Sequence, residues 1–332
     1  MDHPTVTGTA WGSASAGTTF GDLGAVYQPS LTGGVDTAPT AGNLQTALAI
    51  FANDELYDVS LIMMGKADAA TTTAAINNIA EVRKDCMVFA SCEDSSGNTI
   101  LATDADPVGD CTTYRNALPS SSYGVLDTGS KYQYDRYNDV YRYVPLNGDI
   151  AGLAARTDYD QDAWFSPAGA SRGQIKNVVK LGFSPNKTQR DTLYQAGVNP
   201  VVTFPGNGTQ LFGDKTLLSS ESAFNRINVR RLFIVLEKAI AIAAKAQLFE
   251  FNDEFTRNDF KNAVNPFLRD VQGRRGITDF TVVCDATNNT GDVVDRNEFR
   301  ADIFIKPNRA INFITLTFVA SKSSVDFSEI GG

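Results

Sequence analysis

The sequence predicts a mixed α/β fold: an α/β unit first, then a second domain built on one long central helix and closed by a β-hairpin and a terminal arm strand. Three observations carry this. Between residues 40 and 91, helix-like and strand-like segments alternate in short order, which implies at least some parallel pairing. Between Phe224 and Asp253, apolar residues recur at helical period around nearly the whole circumference, and only Arg231, Lys238 and Lys245 form a charged stripe. Finally, Phe299–Ile305 and Ile311–Ala320 are two strongly apolar runs joined by Lys306-Pro307-Asn308-Arg309. The expected organisation is an irregular segment over 1–30, an α/β domain over 31–170, a second domain over 171–320 and an arm over 321–332.

Residues 1–30 are rich in Gly, Ser, Thr and Ala and show no period. Order is expected from the Gly33-Gly34 turn before Asp36. An amphipathic helix follows over 40–53, with Leu44, Leu48 and Phe51 on one face. The run 59–64 (VSLIMM) reads as a buried strand stopped by Gly65. A helix over 69–84 points Ile76, Ile79 and Val82 inward, and 86–91 is a second buried strand. Residues 93–120 form a polar loop with a helical piece near 112–117, and 123–126 is a strand. The segment 131–144 (KYQYDRYNDVYRYV) alternates tyrosine with polar residues around Asn138-Asp139, a hairpin with cross-strand aromatic pairs. Tyrosine runs also stack on bases, but the mixed charge around this one favours cross-strand packing.

A helix over 147–155 leads to an ordered crossover, 163–173. Then come a helix over 187–196 stopped by Gly197, a strand over 198–204 and a glycine-rich turn over 205–214. The central helix, capped by Ser222 or Asn225, is expected to be buried, with everything after residue 170 packed on it. A further helix over 257–271 points Phe260, Val264, Phe267 and Leu268 inward, with Pro266 a potential kink. Strand 277–285 and polar loop 286–296 precede the closing hairpin. In the tail, Val325, Phe327 and Ile330 nearly alternate, as in a strand seeking a partner in the same chain or a neighbour.

Composition narrows the function. The 332 residues are 42% hydrophobic and 20% charged, enough for one large or two modest domains. A net charge of -9 argues against non-specific nucleic-acid binding, which needs clustered positive charge. The charges within the central helix argue against a membrane span, which needs about 20 mostly apolar residues. No stretch reads as a signal peptide. Cys86, Cys92, Cys111 and Cys284 are scattered and read as reduced structural thiols. The single histidine, His3, leaves no imidazole for Ser-His-Asp or Cys-His catalysis or for a multi-histidine zinc site. No catalytic, metal or cofactor site is therefore assigned.

The run Gly206–Thr216 imitates a phosphate loop, but Asp214 separates Gly213 from Lys215-Thr216 and sets a negative charge where phosphate belongs. Asp104, Asp106, Gly109 and Asp110 imitate a calcium loop, yet Val108 and Arg115 stand at ligand positions. Asn186, Asn207 and Asn288 fall in glycosylation sequons that carry no weight without a secretory signal. Arg230 and Arg231 either pair with acids of their own domain or face a partner.

Several stretches resemble the contractile tail sheath proteins of tailed phages, particularly T4-like myoviruses. Leu31–Asp36 is similar to the family's L-x-G-G-x-D turn, and Ala163–Gly173 to its W-x-x-P-A-G-x-x-R-G crossover. AGVNPVVTFPGNG over 196–208 and INVRRLFI over 227–234 are the most specific pieces, and 299–318 resembles the closing hairpin. The similarity runs from about residue 30 to the end. Met64-Gly65 stands where Pro-Gly is expected, which only relaxes a turn. The family's N-terminal arm and outer protruding domains are not found, so the chain is expected to be the inner, tube-proximal portion, as a fragment or a compact variant.

The resemblance implies a structural subunit rather than an enzyme. Such subunits stack helically around a tail tube in a metastable extended state. They then contract without nucleotide to drive the tube through the host envelope for genome ejection. It implies self-association as a helical homo-oligomer, with tail tube, baseplate and tail terminator proteins as partners. No direct contact with nucleic acid or membrane is implied. The expected location is the virion tail, assembled in the host cytoplasm. Inter-subunit strand exchange is expected at Ile311, Phe313, Thr315, Thr317, Val325, Phe327 and Ile330. A tube-facing surface is expected at Arg257, Lys261, Arg269, Arg274 and Arg275, against a solvated helix face. A bacteriocin or secretion-type contractile sheath is the nearer alternative, and an α/β enzyme binding a small molecule at Gly206–Gly213 the more distant one.

Overall fold

The computed structural model describes residues 39–311 together with Gly34 and Thr37. The expected N-terminal segment, strand 311–320 beyond its first residue, and the arm lie outside the described residues.

The first half carries a three-stranded parallel sheet, β1 (Leu61–Met63), β2 (Met87–Ser91) and β3 (Gly124–Asp127), in that order. Every residue of β2 is buried, as a central parallel strand requires, which explains its unbroken apolar sequence. Helix α1 (Ala41–Ala49) is capped by Thr40. Helix α2 (Ala69–Ala75) is capped by Asp68, runs through a π-helical stretch, Ile76–Ala80, and ends in a turn, α3 (Glu81–Arg83). Ile76 and Ile79 are buried as expected, but Val82 is exposed and Arg83 is buried instead. Seven residues complete two turns, so position 83, not 82, returns to the face of Ile76.

Helix α4 (Pro107–Asn116) begins five residues earlier than expected because Asp106 caps it and Pro107 occupies its first turn. The calcium-like acids serve the backbone: Asp106 accepts from Gly109 N at 2.9 Å and Asp104 from Leu101 N at 2.7 Å. Strands β4 (Ser130–Asp135) and β5 (Val140–Pro145) form the expected hairpin. Tyr132 faces Tyr143, with ring centroids 4.8 Å apart, and Lys180 lies over Tyr132. Helix α5 (Asn147–Asp160) packs on the parallel sheet, and the Asn147 amide bonds both Gly65 N and Gly65 O.

Strand β6 (Lys180–Leu181) adds to β4. Helix α6 (Lys187–Ala196) occupies the expected span, with a capping box from Asn186 and Gln189 and a stop at Gly197, φ 89°. The glycine-rich turn is more ordered than expected: β7 (Val201–Phe204) pairs with β8 (Gly208–Leu211) in a hairpin. Gly206 and Gly208 supply its positive φ.

Helix α7 (Ile227–Lys245) is shorter than expected. Ser222 caps only a 3-10 turn, Ala223–Asn225, and the residue before α7 is Arg226, with no side-chain cap. The expectation of all-round burial is corrected too. Leu232, Ile234 and Leu236 are buried, but Val235 between them is exposed, and so are Ala241, Ile242 and Ala244 farther along. The first turns of α7 lie between two cores; past Leu236, α8 (Glu254–Gly273) covers only part of the helix. Pro266 sits inside α8 without ending it. Strand β9 (Ile277–Val283), a short helix α9 (Gly291–Asp295) and β10 (Asp302–Pro307) complete the described chain.

Two cores result. The first gathers the parallel sheet, Ile76, Ile79 and Ile150 with Leu193, Val201, Leu211 and Leu217, and includes Ile227 and Ile234 of α7. Residues 175–217 thus pack with the first sheet rather than on the central helix alone, correcting the simpler expectation. The second joins Trp164 to Leu232, Leu236, Phe260, Val264, Leu268 and Ile277. All four cysteines are buried free thiols, packed as small apolar groups.

Candidate assembly surface

Helix α8 presents Phe260, Val264 and Leu268 to the second core, and the antiparallel pair β9–β10 lies against it through Phe280, Val282, Ile303 and Ile305. The alternation of β10 follows: Ile303 and Ile305 are half-buried, while Phe304 and Lys306 face outward. A two-stranded sheet is marginal alone. Among the described residues, each of these strands is paired along one edge only. An open edge offers a row of unpaired N–H and C=O groups to any extended segment. The turn end is pinned: Asn308 donates to Arg275 O at 2.8 Å and accepts from Thr278 Oγ1 at 2.7 Å. Ile311, where strand exchange was expected to begin, is exposed just beyond that anchor. Phe313, Thr315, Thr317, Val325, Phe327 and Ile330 lie outside the described residues.

The five basic residues expected to face a tube are not brought together. Arg257 sits in the first turn of α8 and donates to Asp253 O. Arg275 follows the other end, about 25–30 Å away at 1.5 Å per residue. Lys261 is half-buried, Arg269 exposed, and Arg274 stacks on Trp164 and pairs with Asp162. Arg231 pairs with an acid of its own chain, Asp158, and donates to Ala154 O, whereas Arg230 lies over Tyr123 and Phe224 instead of pairing with an acid among the described residues.

A cleft of about 940 Å³ opens between the crossover, α6, β8 and the turns that flank β9 and β10. Trp164, Phe165 and Phe212 give it aromatic walls, and Arg172 and Arg190 lie over Phe165 and Phe212 at 5.5 and 5.6 Å. Asp214, the residue that spoils the phosphate-loop pattern, pairs with Arg226 at 3.0 Å and accepts from Tyr194 and Ser166 hydroxyls. Burial, with the charge of Asp214, pushes the Tyr194 phenol up to about 12, so it stays a donor. The crossover is tied to β8: Gly169 N donates to Leu211 O and Leu211 N to Gly173 O, at 2.9 and 2.8 Å. No sequence signal marks this cleft, because its walls come from segments more than 100 residues apart.

A family model described as the phage tail sheath protein central domain matches residues 37–217, and one for the phage tail sheath C-terminal domain matches residues 219–321. The chain belongs to the phage tail sheath family. It is 46% identical over 318 residues to the tail sheath protein of Vibrio phage KVP40, covering 90% of this chain and 47% of that protein. It is 43% identical over 320 residues to that of Enterobacteria phage T4, covering 91% and 48%. The chain thus spans about half the length of the curated relatives it matches. Its fold is similar to the anti-feeding prophage helical sheath in the contracted state, with TM-score 0.68 and 18% identity over 86% of this chain and 76% of that one. The family expectation from the crossover and the 196–208 and 227–234 motifs is borne out.

Proposed function

We propose that this chain is the inner, tube-proximal part of a contractile tail sheath subunit that polymerises helically around a tail tube and shortens to drive the tube through a host envelope. The β9–β10 sheet carries the proposal: one face packs on α8, and among the described residues each strand is paired along one edge only. A neighbour's extended segment fills such an edge with main-chain hydrogen bonds, which persist while side-chain contacts change. The role is structural, with the driving energy stored at assembly. Tail tube, baseplate and terminator proteins are its partners, and the virion tail, assembled in the host cytoplasm, is its place. The assignment of 171–320 as tube-proximal and of 321–332 as an exchanging arm through Val325, Phe327 and Ile330 belongs to the same proposal, as does tube contact at the exposed α8 cation Arg269. Among the described residues no helix is long and apolar enough to cross a membrane.

Identity of 46% and 43% to phage proteins, against 18% to the anti-feeding prophage sheath, favours a phage tail over a related injection system. Gly206 and Gly208, central to the enzyme alternative, shape the β7–β8 hairpin turn, which favours the structural reading over a small-molecule enzyme. Deleting Ser321–Gly332 tests the proposal: the deleted chain is expected to fold and stay monomeric by sedimentation velocity, and polymers from it would refute strand exchange by the arm.

A further inference from the structure

The turn between α7 and α8 is the most exposed apolar feature among the described residues. Leu248, Phe249, Phe251 and Phe255 are all exposed there, Phe249 by 105% and Phe251 by 84%. Phe249 is held at φ 72°, an unfavourable conformation for an aromatic residue. An apolar patch presented this way marks a contact surface. The segment 246–255 contains three acids, Glu250, Asp253 and Glu254, and no cation.

The cleft has the opposite character. Arg172, Lys187, Arg190, Arg275 and Arg309 line it, and none of the five forms an ion pair among the described residues. Its acids are Asp191 and Asp214, the latter already paired with Arg226. Its walls are aromatic, and its volume lies within the roughly 300–1,000 Å³ of sites that enclose bulky apolar groups. Guanidinium planes over Phe165 and Phe212 add faces on which an incoming aromatic ring stacks.

Turn and cleft lie at opposite ends of α8: the turn precedes Glu254, and Arg275 follows Gly273. Twenty residues at 1.5 Å each separate them by about 30 Å, so one chain cannot satisfy both itself. We propose that the aromatic, acidic turn 246–255 of one copy seats in the aromatic, basic cleft of a second copy. The contact is heterologous, and a heterologous contact that does not close on itself propagates as an open array. This inference rests on the self-assembly proposed above but uses different residues from the sheet edge.

Charge exchange tests it. One variant carries Glu250→Lys and Glu254→Lys; the other carries Arg190→Glu and Arg309→Glu. Each alone is expected to weaken self-association about 30-fold or more by sedimentation velocity, the size of a lost hot spot. An equimolar mixture is expected to restore association, because each variant's turn then meets a cleft of opposite charge. Phe249→Cys mixed with Phe212→Cys is expected to give a disulfide-linked heterodimer on mild oxidation, the native thiols being buried. This second readout stays informative if a charge variant folds poorly. Wild-type polymers unaffected by either charge set would overturn the turn-in-cleft contact and leave the sheath proposal standing. Failure of the mixture to restore association, or of the cysteine pair to cross-link, would also overturn it. A wild-type chain that stays monomeric at about 100 μM would remove both.

Discussion

Gly173→Ala is expected to be among the most disruptive single-methyl additions in the molecule. A Cβ at Gly173 would lie 2.7 Å from Gly169 O, 2.8 Å from Gly169 N and 2.9 Å from Leu211 O. Ordinary contact begins at 3.4 Å, so three backbone atoms must yield by 0.5–0.7 Å. Backbone cannot swing aside as a side-chain end does. Those atoms belong to a chain of bonds: Gly173 N to Gly169 O at 2.7 Å, Gly169 N to Leu211 O at 2.9 Å and Leu211 N to Gly173 O at 2.8 Å. Overpacking a tight site costs about 1–3 kcal/mol, and each weakened hydrogen bond about 1 kcal/mol. A loss of about 3 kcal/mol follows. Urea unfolding followed by circular dichroism measures it as a lower midpoint at unchanged slope. Gly152→Ala is the control: that exposed helical glycine has open space around it and is expected to gain about 0.5–1 kcal/mol. A Gly173→Ala variant within about 0.5 kcal/mol of wild type would show instead that the crossover shifts freely against β8.

Arg83→Met is expected to cost about 3 kcal/mol by the same assay, within the range for breaking a buried pair. The Arg83 guanidinium holds Asp85 and the carbonyls of Phe51, Asn53 and Tyr57, and a loss below about 1 kcal/mol would contradict that role. Glu93 sets a pH dependence. Burial lifts its carboxyl to about 7, with Lys66 opposing and Asp68 and Asp94 adding to the rise. The folded chain therefore keeps a proton that the unfolded chain releases above about 4.5, and stability falls as pH rises from about 4.5 to 7. Glu93→Gln is expected to flatten that fall and to be more stable than wild type by about 1–2 kcal/mol at pH 8, with little difference at pH 4. Parallel pH profiles for the two proteins would refute it.

Local chemistry made much of the fold legible. Gly197 marks the end of α6, because a residue at positive φ stops a helix within one turn. The tyrosine alternation marks the β4–β5 hairpin, since period two puts Tyr132, Tyr134, Tyr141 and Tyr143 on one face. Errors arose where long-range packing decides. The apolar length of 224–253 marked a buried helix, but whether Ile242 or Phe249 meets a partner depends on chain that lies elsewhere. The five basic residues near α8 looked clustered along the sequence, yet a helix of 20 residues carries its ends far apart. The cleft was illegible because Trp164, Phe212 and Arg275 converge only in three dimensions. The family motifs were legible for physical reasons: Gly173 has no room for a side chain, and Arg231 is committed to Asp158.

The most direct test of sheath assembly through the β9–β10 sheet is negative-stain electron microscopy of the concentrated chain beside the chain lacking Ser321–Gly332. Rings or tubes are expected from the first and dispersed particles from the second. Tubes formed equally well by the deleted chain would contradict it.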